Sequence, residues 1–388
     1  MKGHRCILFL LMMLMALPAV GQTKFKAEIY TYAGREHNIF KSPDILFDLQ
    51  ANEYYGDDSL QVSAFFIDAG LDLRYQKKKA GKYNFGVNSD LWKRMYFAHS
   101  EANQSKLSGD IYYERIIGEN LLLGAAYDFS VNDRIGTSIT GDELLRSFKY
   151  LGNYGDLYLI FSPGEKLEVA ATGSFVYKNY YADSTETPLD HTNLTTELTT
   201  IYQVNRKHGF ELDLSFTNRN YLLNPASDRL GKISQNNPLR NYRYYDVNAA
   251  YDFRPVRGAL VSPKLGATRR RDLYQDYYSY FSYDMGISLR YMKKKIYVYL
   301  STSYRHVDYE QRYAFTLIDS SQLLRYKYLR YNFKMKYKLL PALELFLNLS
   351  SDNRESNTEL EYARTRRPYT NYEMLVGFTV IPFDYSSK

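Results

Sequence analysis

Residues 155–177 read GDLYLIFSPGEKLEVAATGSFVY and contain two alternating segments around a tight turn. Apolar and polar or small residues alternate over 155–161, and the alternation resumes over 167–177. A side-chain period of two places one set of residues on each face of a β-strand. The intervening Pro163-Gly164 suits a reverse turn, because proline fixes φ and glycine accepts positive φ. The stretch therefore predicts a β-hairpin with one apolar face and one small or polar face.

Hairpins of this kind recur along the chain, each closing on a tight turn. Six further tight turns are predicted at 77–81, 118–120, 205–209, 254–258, 293–295 and 340–342. Longer polar links fall between the hairpins, at 34–59, 101–106, 132–147, 182–193, 218–241, 272–277, 308–321 and 352–367. Together these connections join about 16 strands, an even number that leaves both chain ends on the tight-turn side.

This asymmetry of turn lengths predicts the fold class. Short turns on one side and long loops on the other are typical of outer-membrane barrels, whose tilted strands of about 9–11 residues cross the bilayer. We therefore predict an all-β, transmembrane, antiparallel up-and-down barrel of about 16 strands, with short periplasmic turns and longer extracellular loops. A soluble β-propeller or β-sandwich is the alternative, since a soluble sheet also exposes one polar face.

The chain begins with the pattern of a secretory signal. Lys2 and Arg5 precede an apolar run over 7–17, and small residues follow it. A membrane-anchoring helix is the alternative, but the run is shorter than the roughly 20 residues that span a bilayer. The sequence thus predicts a cleaved signal peptide over 1–21 and a single barrel domain over 22–388.

Composition is compatible with an exported barrel. Tyrosine accounts for 41 of 388 residues against 1 tryptophan, and tyrosine favours both β-strands and the membrane–water boundary. The only cysteine, Cys6, lies in the predicted signal, so no disulfide is expected in the mature chain. The net charge of +7 is mild, and no long basic block interleaves with aromatic residues, which makes nucleic acid a poor partner.

The charges on the polar faces change sign along the chain. They are mostly acidic from Asp68 to Asp252 and mostly basic from Lys264 to Lys336. The candidate lumen charges are Asp128, Glu168, Glu197, Glu211, Asp213, Lys264, Arg270, Arg290, Arg305, Arg330 and Lys334. In a closed barrel we expect the two runs on opposite walls, where they would set a transverse field and an ion preference. Alternatively, the charges pair across the lumen and fill it.

Motifs for catalysis or cofactor binding are absent from the sequence. It contains no phosphate-binding glycine loop, no paired-histidine metal motif and no nucleophile elbow. Outer-membrane barrel hydrolases place a Ser–His pair on the wall, and His306 with Ser301 and Ser303 is the one candidate. The odd separations put these serines on the opposite face of a strand from His306. We therefore predict no enzyme activity, no cofactor and no metal site.

Three segments carry a resemblance to a known group of proteins. They are the Ala-Val-Gly-Gln end of the signal, the segment EHNIFKSPD at 36–44 and the terminal strand over 374–383. In these the chain resembles the Tyr-rich outer-membrane β-barrels of Bacteroidetes-type and other Gram-negative bacteria. The resemblance implies the outer membrane as location, with outer-membrane lipid and the barrel-insertion machinery as partners. Related barrels accompany polysaccharide export or surface-protein assembly.

Together these features predict a porin-like channel for hydrophilic solutes, with a weak preference for anions. The alternative is a non-enzymatic barrel that serves binding, polysaccharide export or surface-protein assembly. In that case its possible partner is a polysaccharide or the machinery that handles one.

Overall fold

The computed structural model describes residues 22–42, 46–48, 53–55, 61–136, 146–181, 189–314, 322–359 and 368–386. The predicted signal peptide over 1–21 lies outside these residues. Strands dominate the described chain, and sixteen of them form one closed sheet.

The sixteen barrel strands are numbered here in chain order. They are β1 (Gln22–Glu36), β2 (Ala64–Lys79), β3 (Tyr83–Tyr96), β4 (Gln104–Ile117), β5 (Leu121–Asp133), β6 (Tyr150–Phe161), β7 (Leu167–Tyr180), β8 (His191–Asn205), β9 (His208–Pro225), β10 (Leu239–Phe253), β11 (Ala259–Asp272), β12 (Tyr280–Lys293), β13 (Ile296–Tyr313), β14 (Leu323–Leu340), β15 (Leu343–Ser356) and β16 (Tyr369–Ser386). Each pairs antiparallel with its neighbours in sequence, and β1 pairs with β16 to close the ring.

Short elements lie in the long links. Leu46–Asp48 pairs with Glu53–Tyr55, and Ile135–Gly136 pairs with Arg146–Ser147. A single turn of 3-10 helix covers Ser100–Ala102. None of the described helices has the length and apolar character needed to cross a membrane.

The hairpin of β6 and β7 has the predicted form. Gly155 lies opposite Phe175 and Leu157 opposite Gly173, so the apolar sets of both strands share one face. The predicted positive φ at Gly164 is wrong, because the glycines with positive φ are elsewhere, for example in the turn at Gly118. Five residues separate β6 from β7, and a link of that length reverses without a left-handed residue at this position.

The two faces of the barrel differ in exposure. Outward side chains such as Leu157 (70% exposed) and Phe175 (51%) leave their apolar surface uncovered. In β5, Tyr127 and Phe129 are exposed while Asp128 between them is turned inward and half-buried. A closed sheet that exposes an apolar belt all round and keeps its charges inside is suited to lipid rather than to water. The predicted transmembrane up-and-down barrel is confirmed in fold.

The two ends of the barrel also differ. The seven tight turns gather at one end, together with both chain termini of the barrel, since Lys24 lies opposite Ser386 and Gln22 opposite Lys78. The eight longer links gather at the other end, called the long-loop end below. Two buried clusters occupy the interior there: one built on tyrosines such as Tyr242, and one around Phe66. These clusters occupy part of the lumen at the long-loop end.

Candidate functional site

A cavity of about 490 Å³ lies inside the barrel towards the long-loop end. Residues of β1, β3, β4, β11–β16 and of the links after β1 and β5 line it, so it reaches across the lumen. Seven cationic and three anionic side chains take part in the lining: Lys41, Arg94, Arg134, Arg270, Arg305, Arg330 and Arg354, against Glu36, Asp352 and Glu373. The cavity is therefore basic on balance, but its two sides are built differently.

On one side, Arg94 is surrounded by carboxylates in an arrangement called the seam cluster: Arg94, Glu36, Asp68 and Glu373. Arg94 Nε and Nη2 each lie 2.8 Å from an Asp68 oxygen, a bidentate pair between adjacent strands. Arg94 Nη1 lies 3.0 Å from Glu36 Oε2 and 2.7 Å from Glu373 Oε2. The cluster joins β3, β2, β1 and β16, and so spans the junction where the first and last strands meet.

The carboxylates of the seam cluster have further donors. Tyr96 donates from its hydroxyl to Glu36 Oε2 at 2.5 Å, and Asn371 donates to Glu36 Oε1 at 2.8 Å. Phe66 stacks beneath the guanidinium, 3.8 Å from Arg94 Cζ. All three guanidinium nitrogens thus have carboxylate acceptors, which makes Arg94 a structural cation.

On the other side, arginines lie among tyrosine rings in a surface called the Arg–Tyr wall: Arg240, Arg270, Arg312 and Arg354 with Tyr242, Tyr278, Tyr280, Tyr309, Tyr326 and Tyr369. Arg270 Cζ lies 4.3 Å from the ring centre of Tyr280 and 4.9 Å from that of Tyr242. Arg354 Cζ lies 4.6 Å from the ring centre of Tyr369. Ring faces attract a guanidinium, which helps to stabilise these buried cations.

Arg270 is the most instructive member of the wall. Its side chain is nearly covered, and Nε donates to the backbone carbonyl of Tyr278 at 2.7 Å. Within the described part of the chain, Arg270 forms no ion pair, and its buried Nη2 has no hydrogen-bond acceptor. The nearest acid along the strand, Asp272, instead accepts from the backbone N–H groups of Tyr274 and Tyr278, each at 3.2 Å.

Arg94 and Arg270 face each other across the lumen. Arg94 belongs to the third strand and Arg270 to the eleventh, eight strands apart in a ring of sixteen. Both residues line the same cavity. One side of the cavity therefore presents a cation matched by carboxylates, and the other presents cations held by aromatic rings.

A third feature of the cavity is Asp352, which binds donors from three elements. Lys41 Nζ lies 3.0 Å from Oδ2, Arg330 Nε donates to Oδ1 at 3.0 Å, and the Tyr369 hydroxyl donates to Oδ2 at 3.0 Å. Lys41 reaches Asp352 because the segment after β1 turns into the barrel, with Asn38 and Lys41 both in the left-handed region at φ 56° and 53°. Left-handed backbone at a lysine is strained, and such strain persists where surrounding contacts hold it.

Asn38 provides those contacts. Its side chain donates to the backbone carbonyl of Ser42 and accepts from the backbone N–H of Ser42, each at 2.8 Å. Asparagine tolerates the left-handed region better than other side-chain-bearing residues. The segment EHNIFKS thus has a structural explanation: Glu36 enters the seam cluster, Asn38 makes the turn and Lys41 reaches the wall.

The strand registers place all eleven predicted lumen charges on inward positions. They lie at different depths, however. Arg270, Arg305 and Arg330 line the cavity at the long-loop end, whereas Arg290 lines a cavity of about 780 Å³ at the tight-turn end. Glu211, Asp213 and Lys264 line a hollow of about 550 Å³ between these levels. Asp128 lies directly opposite Asp110; Glu168 and Glu197 face inward on β7 and β8, and Lys334 on β14.

The expected opposition of acidic and basic walls holds for some pairs only: Asp128 on β5 and Arg305 on β13 lie eight strands apart, which is half of the ring. Glu168 on β7 is five strands from Arg290 on β12, which is less than half of the ring. The signs also mix locally, since Arg305 Nε lies 2.7 Å from Asp284 Oδ1 on the neighbouring strand. Adjacent strands are only about 4.8 Å apart, so charges pair along the wall rather than across the lumen.

The sequence did not single out Arg94, Arg354, Asp352 or Lys41. The alternation of inward residues could have revealed the Arg–Tyr wall, because Arg240 and Tyr242 both take inward positions near the long-loop end of β10. The partners of Arg94 could not be found in this way, because its acids come from three separate strands.

The possible Ser–His pair is not formed within one strand. Ser301 and Ser303 point inward, whereas His306 points outward and lies 2.9 Å from Asp308 Oδ1. Among the described residues, no group of three or more His, Cys, Asp or Glu side chains could hold a metal ion.

Known proteins resemble this chain in structure only. No protein-family model and no curated protein matches the sequence. The structure of OccAB1 from Acinetobacter baumannii gives a TM-score of 0.50 at 9% identity, covering 92% of this chain and 97% of that one. OpdQ from Pseudomonas aeruginosa gives 0.49 at 11% identity, covering 93% and 99%. The outer membrane protein OprD from Pseudomonas aeruginosa gives 0.45 at 10% identity, covering 94% of each chain. The likeness to OccAB1 supports the closed sixteen-strand barrel fold.

Proposed function

We propose that this protein is a porin-like channel of an outer membrane, passing hydrophilic solutes and favouring anions. The single observation that carries the proposal is the inside-out distribution of surface: an apolar exterior around an interior lined by charge. A barrel of about 16 strands has room for an aqueous path. The excess of cations around the cavity at the long-loop end supports a preference for anions.

The proposal includes a location and an orientation. The predicted signal over 1–21 exports the chain, and the apolar belt meets outer-membrane lipid. The tight-turn end faces the periplasm and the long-loop end faces outward, as in other barrels of this kind. The barrel-insertion machinery is the expected partner for assembly, with β16 as the strand it recognises. A source among Gram-negative bacteria of the Bacteroidetes type follows from the sequence resemblance alone.

A second function is favoured by one observation. The segment after β1 enters the barrel and is tied to the wall through Lys41 and Asp352, and apolar clusters pack behind it. A lumen narrowed in this way also suits a non-enzymatic barrel that binds a partner, or that serves polysaccharide export or surface-protein assembly. Such a barrel would carry no steady ionic current.

Single-channel recording of the purified protein in a planar bilayer tests the proposal. We expect steady conductance steps that scale with salt concentration. Lys41→Ala is expected to change the size of the conductance steps, because Lys41 extends from the link after β1 to Asp352 on β15. Folded protein, identified by heat-modifiable gel migration, that yields no steps would contradict the channel and favour the second function.

A further inference from the structure

We propose that the Arg–Tyr wall is a binding site for the oxyanion group of a sugar-sized solute, with Arg270 as its principal donor. The group is a carboxylate, a phosphate or a sulfate, which share the chemistry that a guanidinium recognises. This inference deepens the proposed function and rests on it for the route by which the solute arrives. The binding itself can be measured without any current.

The hydrogen bonds of Arg270 leave part of its guanidinium without an acceptor in the part of the chain that the structure describes. A guanidinium has five N–H donors in a rigid fork, and Arg270 commits Nε to the carbonyl of Tyr278. The buried Nη2 has no acceptor among the residues the structure describes. A charged donor left without an acceptor is unfavourable in a covered site. Because the Arg270 side chain lines the cavity, an oxyanion bound there would supply an acceptor to its guanidinium.

The tyrosine rings of the wall hold Arg270 in place. The rings of Tyr242 and Tyr280 lie 4.9 and 4.3 Å from Arg270 Cζ and fix its plane. Since the rings stabilise the cation without neutralising it, its charge remains available to a ligand. A guanidinium held in place loses little conformational freedom when it binds, which favours affinity.

One carboxylate, that of Asp352, is already bound in the same cavity. Asp352 accepts from Lys41, Arg330 and Tyr369, each at 3.0 Å. This set of an ammonium, a guanidinium and a phenol shows that the basic side of the cavity, next to the Arg–Tyr wall, stabilises a carboxylate. Arg330 keeps more than half of its side chain exposed, at 57%. Its other nitrogens can therefore contact a solute while Nε keeps its hydrogen bond to Asp352.

The opposite side of the cavity has the opposite charge. There the seam cluster has three carboxylates around one guanidinium, so its excess charge is negative. An anionic group is repelled from that side and attracted to the Arg–Tyr wall, while the uncharged part of the solute faces the seam. The cavity volume of about 490 Å³ lies within the range of small-molecule sites and suits one sugar ring with its charged substituent.

Isothermal titration of the folded, detergent-solubilised full barrel tests this site with three matched probes: glucuronate, glucose 6-phosphate and glucose. We expect one or both anionic sugars to bind and glucose not to bind. Binding of glucuronate alone identifies a carboxylate site, binding of glucose 6-phosphate alone identifies a phosphate site, and binding of both identifies the shared oxyanion chemistry. Equal binding of glucose, or no binding of any probe, would overturn the proposal.

Variants locate the site within the lumen. Arg270→Gln is expected to weaken the anionic probe by roughly tenfold or more, since a charged hydrogen bond is lost. Arg270→Lys keeps the positive charge but lacks the planar fork of donors, so its affinity should lie between those of the parent and of Arg270→Gln. Arg290→Gln is the matched control, because it removes the same charge from the cavity at the tight-turn end. An equal loss in Arg290→Gln, or none in Arg270→Gln, contradicts the site.

The outcome for this site is separable from that for the channel. Selective binding by a barrel that carries no current would uphold the oxyanion site and reject the porin. Current without selective binding would support the porin and reject the oxyanion site. Heat-modifiable migration of each variant shows whether it is folded, and Arg270→Lys provides the test if Arg270→Gln does not fold.

Discussion

Arg94 and Arg270 are the same residue type in nearly equivalent positions, and they differ in what surrounds them. Each lies near the long-loop end of its strand, each is at least nine-tenths buried at 8% and 9% exposure, and both line one cavity. Arg94 has three carboxylates, whereas Arg270 has tyrosine rings and one backbone carbonyl. The difference shows that burial alone does not reveal whether a cation in a barrel is structural or available to a ligand.

The physical origin of the difference lies in the partners. Carboxylates that surround a guanidinium compensate its charge and accept its hydrogen bonds, so that no donor remains for a ligand. Aromatic rings stabilise the charge through their faces but accept few of its N–H groups. We therefore assign the seam cluster to closure of the ring and propose recognition of a solute for the Arg–Tyr wall.

The largest effect is expected on removing the cation of the seam cluster. Arg94→Gln leaves Glu36, Asp68 and Glu373 close together without a compensating charge, which should destabilise the barrel by about 3–5 kcal/mol. Urea unfolding of the folded protein in detergent measures this loss. Arg270→Gln is the matched change across the lumen and should lower stability much less. Equal losses in the two variants would remove the distinction between the two sides.

A nearly equal effect is expected for an arginine placed outside the barrel, where neither carboxylates nor rings are available. Ala125 points outward and Ala126 inward in β5. Ala125→Arg should cost about 2–4 kcal/mol if it lies near the bilayer midplane. Ala126→Arg is the control and should cost less when folding into lipid vesicles is titrated with urea. Equal tolerance of arginine at both positions would show that the faces are assigned wrongly.

A smaller effect is expected on removing the carboxylate of Asp352, which Lys41 and Arg330 already bind. Asp352→Asn releases Lys41 and Arg330 from an anion and adds positive charge to the cavity. Affinity for the anionic sugar that the parent binds should rise several-fold, and the change should diminish in about 1 M salt because screening shortens to a few Å. Glu344→Gln, on the same strand near the tight-turn end, is the control. A fall in affinity would indicate that Asp352 positions the donors rather than competing with the ligand.

The smallest effect is expected on reversing charges that are already paired between neighbouring strands. The change of Arg290, Arg305 and Arg330 to Glu should shift ion selectivity towards cations. Arg305 and Arg330 already lie beside Asp284 and Asp352, so part of their field is cancelled. The reversal potential of the triple variant in a salt gradient measures the shift. Unchanged selectivity in an intact barrel would mean that these three residues do not act on permeating ions.

Much of the fold could be predicted from the sequence because local rules determine it. A period of two marks the strands, and turn residues such as Pro163 mark their ends. The inward direction of a charge follows from the same period. The turn conformation at Gly164 could not be predicted, because the length of the link, rather than the glycine, governs the reversal.

The candidate site was predictable only in part, since its chemistry depends on register between distant strands. Arg94 meets Asp68 across one strand pair but meets Glu373 from the other end of the chain. The sequence marks Arg270 as an inward cation, but the neighbouring inward positions of its own strand are Thr268 and Asp272, and the rings around it come from other elements. The opposition of charged walls holds only in part because the acidic run covers more strands than the basic run, so some acids, such as Glu168, lie less than half of the ring from Arg290.

The reversal potential of the parent, Arg270→Gln and Arg290→Gln, recorded in one salt gradient, tests the central claim most directly. The claim is that the uncompensated cation of the Arg–Tyr wall, rather than the total number of basic residues, sets the preference of the lumen. The account predicts an anion-selective parent, a clear loss of that selectivity in Arg270→Gln and a smaller change in Arg290→Gln. A cation-selective parent, or equal shifts in the two variants, would contradict it.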